Sequence, residues 1–190
     1  MKTFKTHFNR SNILESSHTI KILIKKLNGE VLISSGNDED YIYPRSSVKI
    51  FQAIPFVKSN GIDFFKLNSK KVALSCASHR GEKFHLKELE SWVNKLKIKK
   101  ERLMCGIHNP LNSDASENLF RSNKKVNQLH NNCAGKHLGM ITSCVMKNYS
   151  LNNYLNFEHP YQVEIRKVFE EFSNNKIKKK NYGIDGCSAP

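Results

Sequence analysis

The chain has 190 residues, and its 38% apolar and 25% charged content is typical of an ordinary soluble globular domain. No apolar stretch approaches the length of a membrane span, and the first twenty residues lack a signal-peptide core, so we exclude a membrane partner and predict a cytoplasmic location. A net charge of +14 favours non-specific attraction to nucleic acid. The lysines are dispersed, however, and their densest run, residues 176–180, lacks the arginine and aromatic residues of a nucleic-acid reader. We therefore predict solvated lysine faces and no nucleic-acid partner.

The first elements along the chain are predicted to be strands. Apolar residues alternate with lysine in residues 19–27, Asn28 and Gly29 follow, and residues 31–33 are apolar again. This pattern predicts a β-hairpin closed by a tight turn. After a polar loop, Pro44 precedes a predicted helix that Pro55 should end or kink.

The later elements are predicted to be mainly helices. Residues 71–76 are apolar enough to predict a short buried strand. Apolar residues then recur at helical spacing between residues 86 and 96, and again between residues 132 and 146. A further helix is predicted to start at Pro160. We expect one domain over residues 1–190, of mixed α/β class with a sheet flanked by helices. Two glycines in the helix after residue 132 predict close packing, namely Gly135 and Gly139.

Ser46 and Lys49 form a Ser-x-x-Lys pattern at the start of the first predicted helix. Three-residue spacing places the two side chains on one helical face. A lysine that is uncharged because of burial or a cationic neighbour such as Arg45 can accept the serine proton at neutral pH. Chance occurrence is the competing interpretation of this short pattern, because the chain is rich in lysine.

Three further stretches accompany that pattern, and together the four are distinctive. They are PRSSVKIFQAIP at residues 44–55, CASHRGE at 76–82, HNNCAGKHLGM at 130–140 and YGIDGCSAP at 182–190. In order and approximate spacing the chain resembles the asparaginase II (rhizobial-type L-asparaginase) family over essentially its whole length. The resemblance implies a fold similar to the serine β-lactamases and glutaminases, and hydrolysis of the side-chain amide of L-asparagine to aspartate and ammonia.

The resemblance also implies roles for individual residues. Ser46 matches the nucleophile and Lys49 its base, while Ser78 matches a second catalytic serine that is paired with a lysine further along the family pattern. Asp185 matches a carboxylate expected to hold the substrate's α-amino group, although an aspartate between glycines is also a common turn cap. We expect Arg45 to contribute to substrate binding as well. The histidines that flank these residues are His79, His130 and His137, and of these His137 is the one we assign to substrate binding.

A zinc ion that helps to fix the substrate, without being essential for the chemistry, is implied by the same resemblance. Cys133, Lys136 and Cys187 match its three protein ligands. Two thiolates and an amine suit a tetrahedral ion that keeps a fourth position for water or substrate. Without the resemblance, buried cysteine would be the commoner interpretation of both thiols.

Family members continue well beyond the Asp-Gly-Cys stretch, whereas this sequence stops at Pro190. We therefore expect an incomplete domain that lacks the lysine partner of Ser78. Either a complementing carboxy-terminal polypeptide supplies the missing part, or the chain is a truncated product; a homodimer is a further expectation. Two alternatives remain. A non-catalytic, metal- or ligand-binding remnant is one. A penicillin-recognising acyl transferase, which also uses Ser-x-x-Lys, is the other, and the absence of its Lys-Thr-Gly motif disfavours it.

Overall fold

The computed structural model describes residues 4–35 and 42–183. Internal contacts divide the chain into two compact units, the first ending at Ile42 and the second starting at Tyr43. Strands occur in the first unit and helices in the second, so the predicted mixture of α and β structure is confirmed.

The first unit contains two antiparallel hairpins. The predicted hairpin is confirmed, because the third and fourth strands of this unit pair around the Asn28–Gly29 turn. Gly29 has a φ of +86° there, a conformation that costs glycine little, and its N–H donates to the carbonyl of Lys26. The preceding hairpin was not predicted, because the polar run Glu15–His18 hides the alternation of its second strand. The strands are β1 (Phe4–Arg10), β2 (Ile13–Ile20), β3 (Ile22–Lys25) and β4 (Val31–Ser35).

The described part of the second unit contains seven α-helices. The four helices predicted after Pro44, around residues 86–96 and 132–146, and from Pro160 are confirmed, whereas the second and fifth helices were not predicted. Pro55 lies inside the first of them, which ends two residues later. The helices are α1 (Lys49–Val57), α2 (Gly61–Phe64), α3 (Ser69–Cys76), α4 (Lys83–Leu96), α5 (Ser113–Arg121), α6 (Ala134–Met146) and α7 (Pro160–Ser173).

The prediction of a strand at residues 71–76 was wrong, since these residues belong to α3. The side chain of Asn68 caps this helix by accepting a hydrogen bond from the backbone N–H of Lys71. Lys71, Leu74 and Ser75 are buried, and a spacing of three and four residues places them on one helical face. A short apolar run fits a strand or a helix equally well, and here the Asn68 cap and the buried helical face favour the helix.

Helix α6 lies at the centre of the helical unit, with every side chain buried from Ala134 to Cys144. The predicted close packing at its glycines is confirmed. A Cβ on Gly135 would lie 2.2 Å from the carbonyl oxygen of Leu74, and one on Gly139 would lie 3.3 Å from the ring of Phe56. The contact between Gly135 and Leu74 places the end of α3 against the beginning of α6.

Candidate active site

Three side chains predicted to be catalytic form one chain of hydrogen bonds. Lys49 Nζ donates to Ser78 Oγ over 2.7 Å, and Ser78 Oγ donates to Ser46 Oγ over 2.9 Å. The hydrogen bonds therefore connect the amine to Ser46 through Ser78, whereas the sequence suggested a direct pairing of Lys49 with Ser46. A second donor position of Lys49 Nζ is taken by the carbonyl of Ala77 at 2.8 Å. Among the described residues, no carboxylate forms an ion pair with this amine.

Ser46 lies in a 3-10 turn, Arg45–Val48, which leads directly into α1. Arg45 has a φ of +52°, a left-handed conformation that costs a residue with a side chain about 1 kcal/mol or more. In the same turn, the hydroxyl and the N–H of Ser47 both bond to the carbonyl of Pro44. In this turn Ser46 lies at the surface, whereas Lys49, one turn later, is only 1% exposed. The nucleophile candidate is therefore accessible, and its amine partner is shielded from water.

Ser78 follows the end of α3 in an extended segment that neighbouring loops hold in place. The backbone N–H of His79 donates to the carbonyl of Asn132, and that of Asn112 donates to the carbonyl of Arg80. Gly81 then turns the chain with a φ of +76°, where a Cβ would lie 2.9 Å from Pro110. These contacts position the Ser78 hydroxyl between Ser46 and Lys49.

His79, the residue after Ser78 in this segment, is buried, with 3% of its surface exposed. Its Nδ1 accepts a hydrogen bond from the N–H of Gly81, whereas its Nε2 has no partner among the described residues. Burial lowers the pKa of His79 to about 4, and the positive charges of His85 and Lys49 act in the same direction. His79 is therefore a neutral imidazole at pH 7, and it adds no positive charge beside Lys49.

The sequence profile of the L-asparaginase II family matches residues 6–190. The chain belongs to the L-asparaginase II family. That membership confirms the resemblance drawn from the four stretches, and it implies an amidohydrolase. A comparison with curated proteins returned no significant match.

Two of the three zinc ligands expected from the family lie together at the start of α6. Cys133 precedes the helix and Lys136 lies in its first turn, so a three-residue spacing directs both to one side, and both are buried. Cys187 and the expected ammonium ligand Asp185 lie outside the described residues. No group of three or more His, Cys, Asp or Glu side chains able to hold a metal occurs within residues 4–35 and 42–183. Zinc binding therefore stays a prediction.

Two flanking histidines differ in their surroundings. His137 is completely buried in α6, and its Nδ1 lies 2.6 Å from the hydroxyl of Tyr154. His130 caps a short turn through its Nδ1, which accepts from the N–H of Asn127, and it lines a groove of about 630 Å³ between α4 and α5. No sequence pattern indicates Tyr154, because 17 positions separate it from His137.

The described helices include none that is both long and apolar enough to cross a membrane. Cytoplasmic location stays a prediction of the sequence.

Proposed function

We propose that this protein hydrolyses the side-chain amide of L-asparagine to aspartate and ammonia, with Ser46 as the nucleophile. The observation that supports this proposal is the hydrogen-bond chain from Lys49 through Ser78 to Ser46. Family membership supports the reaction class. The accessible position of Ser46 supports its role, because a substrate must reach the attacking oxygen.

Ser78 carries the proton in the proposed acylation step. For attack, the two hydrogen bonds of Ser78 reverse their direction: Lys49, once deprotonated, accepts the Ser78 proton as Ser78 accepts the proton of Ser46. The Ser46 oxygen bonds to the amide carbon, and the proton returns along the same path to the amide nitrogen as the carbon–nitrogen bond breaks. Ammonia leaves, and aspartate stays attached to Ser46 as an ester. A water molecule, activated by the same amine and hydroxyl, then cleaves the ester and restores Ser46.

The roles of the two serines can be separated by locating the ester. Acid-quenched reactions with asparagine should give an aspartyl modification that peptide mass spectrometry assigns to Ser46. Ser46→Ala should abolish both the modification and ammonia release. Ser78→Ala should slow ammonia release by about 10²- to 10⁴-fold, the usual contribution of a proton-transfer group, while any modification still occurs at Ser46.

Ser47→Ala is the matched control, because Ser47 is exposed in the same turn, its hydroxyl bonds to the carbonyl of Pro44, and the Ser47 N–H keeps a bond to that carbonyl in the variant. Its turnover should stay near that of the unaltered protein. A modification on Ser78, which contacts Lys49 directly, would exchange the roles of the two serines. Ammonia release that persists in Ser46→Ala would contradict the proposed nucleophile.

Substrate binding is proposed to involve Arg45 and Asp185. Arg45 is exposed next to Ser46 and offers a positive charge to the substrate's α-carboxylate. Asp185 is assigned to the α-amino group on the family pattern alone. Assembly as a homodimer or with a complementing polypeptide also stays a proposal, and sedimentation velocity of the purified chain tests the homodimer.

Zinc binding by Cys133, Lys136 and Cys187 is part of the proposal, supported by the family pattern and by the shared turn of the first two. The ion, when bound, would help to fix the substrate. Equilibration with zinc, dialysis and elemental analysis should give a lower zinc content for Cys133→Ser than for the unaltered chain. Cys144→Ser, a buried cysteine further along α6, serves as the control and should retain zinc. Equal zinc content in both variants would exclude Cys133 as a ligand.

A further inference from the structure

Two hydrogen bonds connect the imidazole of His108 with the segment that carries Ser78, residues 77–81. The N–H of His79 donates to the carbonyl of Asn132 over 3.2 Å. The N–H of Asn132 donates in turn to His108 Nε2 over 3.1 Å. Asn132 therefore links the His108 ring to the backbone of the residue directly after Ser78.

The surroundings of His108 define which ring nitrogen accepts. His108 Nδ1 lies 2.6 Å from the carbonyl oxygen of Asn109, and a carbonyl can only accept a hydrogen bond, so Nδ1 carries the ring hydrogen. The hydrogen of the Asn132 N–H points at Nε2, so that nitrogen carries none. The Oδ1 of Asn132 is farther from Nε2, at 3.3 Å. His108 is therefore bonded through both nitrogens, as donor to its own loop and as acceptor for Asn132.

The loop that carries His108 also contacts residues 77–81 directly. The N–H of Asn112 donates to the carbonyl of Arg80 over 2.9 Å. Pro110 is buried and lies so close to Gly81 that a Cβ there would be 2.9 Å from the proline ring. These two contacts hold the end of the segment, and the bond through Asn132 holds the part next to the catalytic hydroxyl.

We propose that His108 is a positioning residue for the Ser78 hydroxyl. By accepting the N–H of Asn132, it fixes the residue whose carbonyl binds the segment. The proton path needs Ser78 Oγ close to both Lys49 and Ser46, and a misplacement of about 1 Å can lower a rate by about 10²-fold. The positioning of the segment is argued from these contacts, whereas its effect on turnover rests on the function proposed above.

NMR of the full chain labelled with nitrogen-15 tests the two hydrogen bonds without substrate. The unaltered protein should show a scalar coupling between the backbone nitrogen of Asn132 and His108 Nε2, because such couplings pass through N–H···N bonds. In His108→Leu the amide hydrogen of His79 should exchange with solvent about tenfold faster, since local opening becomes easier. His108→Gln should restore slow exchange, because its side-chain oxygen can accept the Asn132 N–H in place of Nε2.

Kinetics of ammonia release test the consequence for the site. His108→Leu should lower kcat for asparagine about tenfold with little change in KM, because the proton path is misaligned while substrate contacts remain. His108→Gln should recover most of this loss. His159→Leu is the matched control, because both ring nitrogens of His159 also bond to backbone, but to Ser150 and Tyr161. Its kcat should stay near that of the unaltered protein.

A missing Asn132–His108 coupling in the unaltered protein would overturn the inference, even if His108→Leu failed to fold. An unchanged exchange rate of the His79 amide in folded His108→Leu would overturn it as well. Equal losses of kcat in His108→Leu and His108→Gln would also contradict it, because the glutamine retains the acceptor. An inactive parent chain would count against the proposed function alone, since the coupling and the exchange rate are measured without substrate.

Discussion

Lys49 Nζ lies 2.7 Å from Ser78 Oγ, although the two residues are 29 positions apart in the chain. Helix α1 supplies the amine, and the extended segment after α3 supplies the hydroxyl. Their contact makes Ser78 the link between the buried amine and the accessible Ser46. The proposed proton path therefore depends on how α3 is seated in the helical unit, as well as on the Ser-x-x-Lys spacing.

Replacement of the Lys49 amine should strongly slow amide hydrolysis without disrupting helix α1. Lys49→Met keeps the length and apolar stem of the side chain, and it should reduce ammonia release by about 10²- to 10⁴-fold because the proton acceptor is lost. Lys58→Met, which changes an exposed lysine just after α1, should leave the rate unchanged. Rates measured alongside circular dichroism would show whether the loss is chemical, and a Lys49→Met variant with full activity would exclude this base.

His79 should make the protein less stable in mild acid. Its pKa of about 4 in the folded protein lies below the usual value of 6.5, so between these values the unfolded chain binds the extra proton. The free energy of unfolding should therefore fall as the pH falls from 6.5 to 4, by about 3 kcal/mol for this group. Urea unfolding across this range should show a weaker pH dependence in His79→Gln. His18→Gln, an exposed histidine of β2, should keep the original dependence.

The two glycines of α6 should respond differently to alanine. Alanine favours a helix interior by about 1 kcal/mol over glycine, but at Gly135 the new Cβ would overlap the backbone oxygen of Leu74 at 2.2 Å. Overpacking of this kind costs about 1–3 kcal/mol, and backbone has little room to yield, so Gly135→Ala should be less stable by about 2 kcal/mol. Gly139→Ala, at 3.3 Å from the Phe56 ring, should be close to neutral. Equal unfolding midpoints for the two variants would contradict this ranking.

The ion pair between Lys71 and Glu88 holds α3 against α4. Its Nζ–Oε2 distance is 2.6 Å, and the side chain of Lys71 is only 3% exposed. Glu88→Gln should reduce the free energy of unfolding by about 3 kcal/mol, because it leaves the lysine charge buried without a counter-charge. Lys71→Met should cost less, since it removes the buried charge itself. Denaturant titration of both variants tests the order, and a larger loss in Lys71→Met would reverse it.

The sequence identified the family, because four short stretches occur in the family's order, and the same stretches contain the candidate site residues. Helical periodicity also predicted α4, α6 and α7 correctly. Local patterns failed at α3, where the Asn68 cap and the pairing of Lys71 with Glu88 select a helix from an ambiguous apolar run. They also failed at the β1–β2 hairpin, whose strands carry many polar side chains.

Three-dimensional packing alone established that Ser78 lies between Ser46 and Lys49, and that Tyr154 contacts His137. Both contacts join residues on different elements, so no spacing along the chain encodes them. They arise because α6 has glycine where the end of α3 touches it, and because the loop at Met104 reaches the hydroxyl of Tyr154. The sequence therefore indicated which residues form the candidate site. The packing of the helices determined which of their atoms form hydrogen bonds with one another.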